Sequence, residues 1–328
     1  MRIGFVVNDR REPSVEQTTT LLIGAALRRG HEVLVCGVGD LSSTDDGRLF
    51  ARCCVPEESE TAALVRQLSS GETTIRALDE HDLCIVRTNP GRDEARRAQH
   101  LAALRLLERL EEHGARVINS PRGLGRALTK LSLLELPASL RPRTLVTHDV
   151  ADIERFLEQE SERIVIKPLD GTRGKDVFVL ERTGSRANMK QIIDVVLRQG
   201  YAMVQEFVSG AERGDVRVTV LRGQILELDG SAAAIARVPA RHEFRSNLHA
   251  GGTAQAVEVT DPMREAVARI APYLEREGLV HVGVDFVGGR VLELNVFSPG
   301  GLYPAERLYG HDFSGAVIEA FECQPLPS

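Results

Sequence analysis

The feature that most constrains this chain is a change of pattern at Asn119-Ser120-Pro121. Before it, short apolar runs alternate with segments of helical apolar spacing. After it, strands begin to follow one another directly. In the first third, residues 2–8, 31–38, 83–87 and 116–118 read as strands, with helices over 18–29 and from about 93 to 113, the first ending at Gly30 as C-cap. Strands separated by helices imply a parallel, doubly wound sheet. The polar stretch 39–60 reads as a loop with a short hairpin. At the crossing, Ser120 is placed as an N-cap and Pro121 as the first helical residue.

Beyond the crossing a helix is expected to run through Lys130, followed by strands at 144–146 and 164–168 with a helix at 149–159 between them. A strand at 177–180 and a helix at 186–198 come next. Strands are then predicted at 203–207, 215–221, 224–229, 232–238, 280–287 and 290–296, interrupted by one helix at 262–277 with Asp261 as its N-cap. This is an α+β region, and the expected domains are 1–120, 121–201 and 202–328. A dinucleotide site in the first domain is excluded, because Asn8-Asp9-Arg10-Arg11 follows the first strand where a G-x-G-x-x-G turn would be needed.

Composition narrows the function. The chain's 328 residues, 42% hydrophobic and 27% charged, suit a soluble globular protein of two or three domains. A net charge of −6 argues against general nucleic-acid binding. No apolar run is long enough to span a membrane, and the N-terminus reads as a strand, not a signal peptide, so the expected location is cytoplasmic. Five cysteines without a CxxC spacing point away from disulfides and zinc. Of 41 basic residues only four are lysines, Lys130, Lys167, Lys175 and Lys190. A lysine offers a compact point charge where a guanidinium fork does not fit, so each of these positions invites a reason.

Four segments carry candidate chemistry. In the first, two apolar strands are joined by Gly288-Gly289, a hairpin signal. Glu293 and Asn295 project from one face of the second strand, and pairing brings Asp285 of the first close to them. These oxygen donors suit Mg²⁺, although the same alternation is that of a half-exposed sheet. In the second, the apolar strand ending at Lys167-Pro168 runs into Gly171-Thr172-Arg173-Gly174-Lys175, a small loop whose backbone N–H groups could approach phosphate. Its spacing is not that of a Walker loop. In the third, Met203 to Val208 could offer backbone groups to an adenine edge, and equally reads as a buried strand. In the fourth, Arg245 and Asn247 lie on a loop ending in Gly251-Gly252, where a cation and an amide suit phosphoryl transfer; a surface turn is the alternative.

The order of these pieces is similar to the ATP-grasp superfamily, and their spelling resembles bacterial glutathione synthetase. The matching stretches are NSPRGLGRALTKL, IVIKPLDGTRGKDVF, VQEFVSGAERGDVRVTVL, FRSNLHAGG and GLVHVGVDFVGGRVLELNVFSPGG. The resemblance implies an ATP-grasp fold preceded by the Rossmann-like α/β domain. It implies that Lys130 and Lys167 hold ATP phosphates under the loop Gly171, Thr172, Arg173 and Gly174. Gln205, Glu206, Phe207 and Val208 would form the adenine hinge, with Asp215 near the ribose side and Arg217 beside it. Asp285, Glu293 and Asn295 would hold two Mg²⁺ ions, for which Mn²⁺ could substitute. Arg245 and Asn247 would act on the γ-phosphate and the intermediate. The implied reaction joins a small-molecule carboxylate to an amine through an acylphosphate, in a homo-oligomer without nucleic-acid or membrane partners. Ser298, Gly300 and Gly301 would touch the substrate. The two glycines depart from the family pattern, as does Arg87-Thr88-Asn89-Pro90, so another peptide or natural-product carboxylate is an alternative acceptor. A non-catalytic ATP-binding module is the alternative from a different class.

Overall fold

The computed structural model of the chain describes residues 1–160, 162–171, 174–239 and 252–323. The first sheet is parallel and four-stranded, in the order Glu32–Gly37, Arg2–Val7, Leu83–Arg87, Val117–Ile118. Its strands are apolar on both faces, as a sheet covered on both sides requires. Ile3, Phe5, Val33 and Ile85 join the core that holds Leu22 and Ile23 of the helix Thr18–Arg28. Val6, Leu34 and Val86 join the core that holds Leu104 and Leu107 of the helix Arg97–Glu112. The doubly wound arrangement expected from the sequence is therefore present. The short hairpin expected within 39–60 is present, and order continues beyond it through 61–77, where the sequence reading placed no element. Leu41–Ser43, Leu49–Cys53 and Thr74–Ala77 form a small antiparallel sheet, and Thr61–Ser69 is a helix capped by the Glu60 carboxylate.

The middle sheet is antiparallel, in the order Phe178–Glu181, Arg163–Pro168, Ala202–Glu206, Thr144–Thr147. The helices Val150–Gln159 and Arg186–Leu197 close it around Ile153, Leu157, Ile164, Ile166, Ile193 and Val204. The third sheet runs Thr253–Ala256, Ala234–Val238, Asp215–Leu221, His281–Val287, Arg290–Asn295. It has two unlike faces. Val218, Val220, Val282, Val284 and Phe286 pack with Met263, Val267 and Ile270 of the helix Asp261–Arg276. The alternate residues, Arg217, Asp285, Glu293 and Asn295, face the other way, into a cleft.

Several expectations are corrected. The helix through Lys130 is two pieces, the α-helix Pro121–Arg126 and the 3₁₀ segment Lys130–Glu135. Thr129 separates them, extended and accepting the Leu131 N–H on its own hydroxyl. The N-cap of the Asp261–Arg276 helix is Thr260, not Asp261; Asp261 and Pro262 occupy the first turn, where proline loses no hydrogen bond. The expected strand 224–229 is broken into Gln224–Ile225 and Glu227–Leu228. Two C-terminal helices, Leu302–Tyr309 and Phe313–Glu322, had no counterpart in the sequence reading. Phe313, Val317 and Phe321 return to the first sheet and join the core of Ile3 and Phe5.

At the domain crossing Asn119 is buried and saturated. Its Nδ2 donates to the carbonyls of His281 and Val296 at 2.9 and 3.0 Å, and its Oδ1 accepts from the N–H groups of Val280 and His281 at 2.9 and 2.8 Å. This amide ties the end of the first sheet to the start of the strand His281–Val287 and to the end of the edge strand Arg290–Asn295. No described helix is long and apolar enough to cross a membrane. All five cysteines are unbridged, and burial pushes the thiols of Cys53 and Cys84 up to about 11 and about 12.

Candidate active site

A cleft of about 940 Å³ lies between the three sheets. Its floor is the polar face of the third sheet. Strand register sets Arg217, Asp285 and Glu293 in a row, and Arg237 stands opposite Asp215 one strand further out. Asp285 is 2% exposed. Arg217 grips it side-on, Nε to Oδ1 at 2.6 Å and Nη2 to Oδ2 at 2.7 Å. Arg237 donates to Asp285 Oδ2 at 2.7 Å while pairing with Asp215. Burial alone would raise the Asp285 pKa, but the two guanidinium groups outweigh it and hold the carboxyl below its usual range. Asn295 Nδ2 donates to Asp285 Oδ2 at 3.1 Å, which leaves its carbonyl oxygen free. Glu293 makes no hydrogen bond or ion pair among the described residues, and its charge acts on Lys130 and Lys167.

The strand Arg163–Pro168 buries Lys167 to 9% exposure, and among the described residues it has no hydrogen-bond partner. Burial lowers its pKa to about 8, against the opposing pull of Glu293. Lys130 reaches the same region from the 3₁₀ segment, and its Nζ donates to the Gly171 carbonyl at 2.8 Å and the Leu169 carbonyl at 3.3 Å. Burial lowers its pKa as well. Gly171 and Gly174, at φ +112 and +71, border the cleft in a conformation that side-chain-bearing residues rarely adopt. Thr172, Arg173, Arg245 and Asn247 lie outside the described residues.

Gln205, Glu206, Phe207 and Val208 line the far wall. Gln205 is fixed there by its amide donating to Thr144 Oγ1 at 3.0 Å, and the Arg163 guanidinium lies 4.0 Å from the Phe207 ring centroid. Ser298, Gly300 and Gly301 line the wall toward the first domain. A Cβ on Gly300 would meet nothing within 4 Å, whereas Gly301, at φ +124, lies against Arg217. Each expected site residue that the structure describes thus borders this one cleft.

Sequence reasoning missed Arg10, Arg92 and Arg237, which also border it, and named Arg87 only within a stretch that departs from the family pattern. Arg87 is 4% exposed, and it bridges the domains by donating to Thr19 Oγ1 at 3.1 Å and to the Pro299 carbonyl at 2.9 Å. Burial, reinforced by Arg92, lowers its pKa to about 9. In a chain so rich in arginine, nothing in the sequence distinguished Arg10, Arg92 and Arg237 from surface charges.

The donor set fits a divalent metal. Two carboxylates and an amide carbonyl stand together on one face, and Glu293 forms no hydrogen bond or ion pair among the described residues. No described cluster of three or more His, Cys, Asp or Glu forms a cage. Mg²⁺ characteristically needs only one or two carboxylates when substrate phosphates complete its shell. With the buried Lys167 and the half-buried Lys130 opposite, the cleft can hold a polyphosphate and its counter-ions away from water.

Comparison with known proteins agrees with this geometry. The family model for the prokaryotic glutathione synthetase N-terminal domain matches residues 1–125, and that for its ATP-grasp domain matches residues 129–310. The chain is 33% identical over 332 residues to glutathione synthetase of Synechococcus elongatus, with 98% of each chain covered. It is 30% identical over 325 residues to that of Vibrio parahaemolyticus, again with 98% of each covered. Among solved structures, D-cycloserine synthetase DcsG matches with a TM-score of 0.66 at 20% identity, covering 98% of this chain and 100% of that one. The ATP-grasp ligase PsnB complexed with minimal precursor matches at 0.62 and 23%, covering 98% and 99%. These structural likenesses establish the fold, and the sequence relatives establish the kinship. The chain belongs to the prokaryotic glutathione synthetase family and is an ATP-grasp ligase that forms a carbon–nitrogen bond.

Proposed function

We propose that the chain joins γ-glutamylcysteine to glycine, with ATP cleaved to ADP and phosphate, by way of an acylphosphate. The observation that carries this reading is the convergence of Lys130, Lys167, Asp285, Glu293 and Asn295 on one cleft. A carboxylate is a poor electrophile, so its oxygen first attacks the γ-phosphorus and ADP leaves. The amine then attacks the activated carbonyl, and phosphate departs with the former carboxylate oxygen. Asp285, Glu293 and Asn295 would hold Mg²⁺, which when bound would neutralise charge on the transferring phosphoryl group. Lys130 and Lys167 supply fixed positive charge to the phosphates. Gln205 to Val208 receive the adenine, and the loop containing Gly171 and Gly174 excludes water from the acylphosphate. Arg245 and Asn247 stabilise the charge that develops during transfer. Arg217 and Arg237 keep Asp285 ionised. The division into 1–120, 121–201 and 202–328, a cytoplasmic location and a homo-oligomeric state belong to the same proposal.

A second acceptor is favoured by one observation. The open space beside Gly300 admits a bulkier carboxylate than γ-glutamylcysteine. The experiment that tests the chemistry is independent of which acceptor is used. With ¹⁸O in the acceptor carboxylate, one labelled oxygen should appear in the released phosphate for each amide formed. Unlabelled phosphate would rule out the acylphosphate route.

A further inference from the structure

Two of the four lysines, Lys175 and Lys190, have no part in the chemistry above. Lys190 lies exposed on the helix Arg186–Leu197. Lys175 is placed differently. It follows Gly174 at the far end of the glycine-rich loop, and its Nζ donates to Glu94 Oε1 of the first domain at 3.3 Å. At the near end of the same loop, Asp170 Oδ2 accepts from Arg97 Nη2 at 3.0 Å. Both ends of the loop are therefore tied to one turn of the first domain.

That turn is a firm support. Glu94 lies in the 3₁₀ segment Glu94–Arg96, which runs straight into the helix Arg97–Glu112. Leu104 and Leu107 fix the helix in the core. Residues three apart share one side of such a turn, so Glu94 and Arg97 present an acid and a base together. The loop presents the complementary pair. Helix stability does not explain Arg97. It is the first helical residue, where the macrodipole disfavours a cation, and the first turn holds no acidic residue. Among the described residues neither Glu94 nor Arg97 has another ion pair. Arg96 does not compete with Arg97 for Asp170, because Asp93, Asp9 and Glu12 engage its guanidinium. Within the middle subdomain, Lys130 holds the near margin of the loop through the Leu169 and Gly171 carbonyls, and Gln199 Nε2 holds the far margin through Asp176 at 2.8 Å. The four charged side chains remain open to solvent, so each pair alone is weak and screened by salt. Two pairs of opposite polarity, in register, fix one arrangement of loop on domain.

We propose that Glu94 and Arg97 form an electrostatic catch for the glycine-rich loop, so that the first domain sets how fast the loop parts from bound phosphates. They are positioning residues, acting through Asp170 and Lys175. While the catch holds, nucleotide is retained and water is kept from the acylphosphate. Where it fails, water attacks the acylphosphate and returns carboxylate, phosphate and a proton, and ATP is consumed without an amide. This inference rests on the ligase reading above and assigns positioning residues to it.

The test is stopped-flow release of a fluorescent, non-hydrolysable ATP analogue from the full chain with Mg²⁺. Glu94→Lys/Arg97→Asp should release it about three- to tenfold faster than wild type, the range for two exposed pairs turned repulsive. The swap Arg97→Asp/Asp170→Arg should lie nearer to wild type than either single reversal, with thermal melting as the fold control. In 1 M NaCl, where the Debye length is about 3 Å, wild type and Glu94→Lys/Arg97→Asp should converge. With both substrates, that variant should release more ADP than amide, whereas wild type releases them in equal amount. Unchanged release in Glu94→Lys/Arg97→Asp, or a swap no better than the single reversals, would overturn the catch. An ADP-to-amide ratio equal to that of wild type would overturn its role against water. If release responds and the swap restores it, but wild type makes no amide, the catch stands and the ligase reading falls.

Discussion

At the scale of single residues, Lys167 shows how burial and function conflict. The strand that carries it removes it from water, and the resulting pKa of about 8 lies below that of a free lysine. In the free chain its charge is complete below that value and is lost as pH rises through it. Nucleotide phosphates need the charged form, so affinity for a non-hydrolysable ATP analogue should fall above pH 8, approaching about tenfold per pH unit. Folding stability moves the other way. The unfolded state holds the proton up to a higher pH, so the penalty for burying the charge is relieved as pH rises above about 8. An affinity that stays flat from about pH 7 to about pH 9 would contradict the assignment. Lys167→Arg should flatten the profile, since arginine remains charged throughout. Arg245, proposed to act on the transferring phosphoryl group, carries a second prediction. Its replacement by alanine should lower kcat by about 10²–10³-fold while ATP affinity is retained, as expected for a donor that acts on developing charge. Equal loss of ATP affinity would instead mark Arg245 as a ground-state contact. Lys130 and Lys167 were legible because lysine is rare in this sequence. Arg10 and Arg237 were hidden for the opposite reason, and Arg87 was legible only as a departure from the family pattern. Their roles depend on burial and on partners such as Asp285 and Pro299, which no local pattern encodes.

At the scale of elements, strand alternation was the dependable signal. The Gly288-Gly289 hairpin, with Asp285 and Glu293 as cross-strand partners, follows from period-two patterning and a turn. The helices Leu302–Tyr309 and Phe313–Glu322 escaped notice because Ser298-Pro299-Gly300-Gly301 and Gly310 punctuate short segments. Their helicity is secured by packing against distant strands, as Phe313 and Phe321 show. The crossing at Asn119 was read as a boundary, and its mechanical role is visible only in three dimensions. Asn119→Ala would leave two buried carbonyls and two buried N–H groups without their partner. It should lower unfolding free energy by about 2–4 kcal/mol in a urea titration. A loss below about 1 kcal/mol would mean that water or a backbone shift replaces the amide.

At the scale of the whole molecule, three sheets with different construction rules meet at one cleft. The first is covered on both faces. The middle sheet is closed by its own two helices around a separate core. The third turns one face to its helix and the other to the site. Such an arrangement lets Lys167 of the middle sheet, proposed to bind phosphate, and the acidic face of the third approach the same ligand from opposite sides, which is how positioning lowers a barrier. The central claim is that this cleft couples ATP cleavage to amide formation. It is tested most directly by ADP release with Mg²⁺-ATP, adding γ-glutamylcysteine and glycine separately and then together. The account predicts sustained release only with both present, with glutathione formed in equal amount. Release that ignores either substrate, or tight ATP binding with no turnover for any carboxylate and amine, would contradict it.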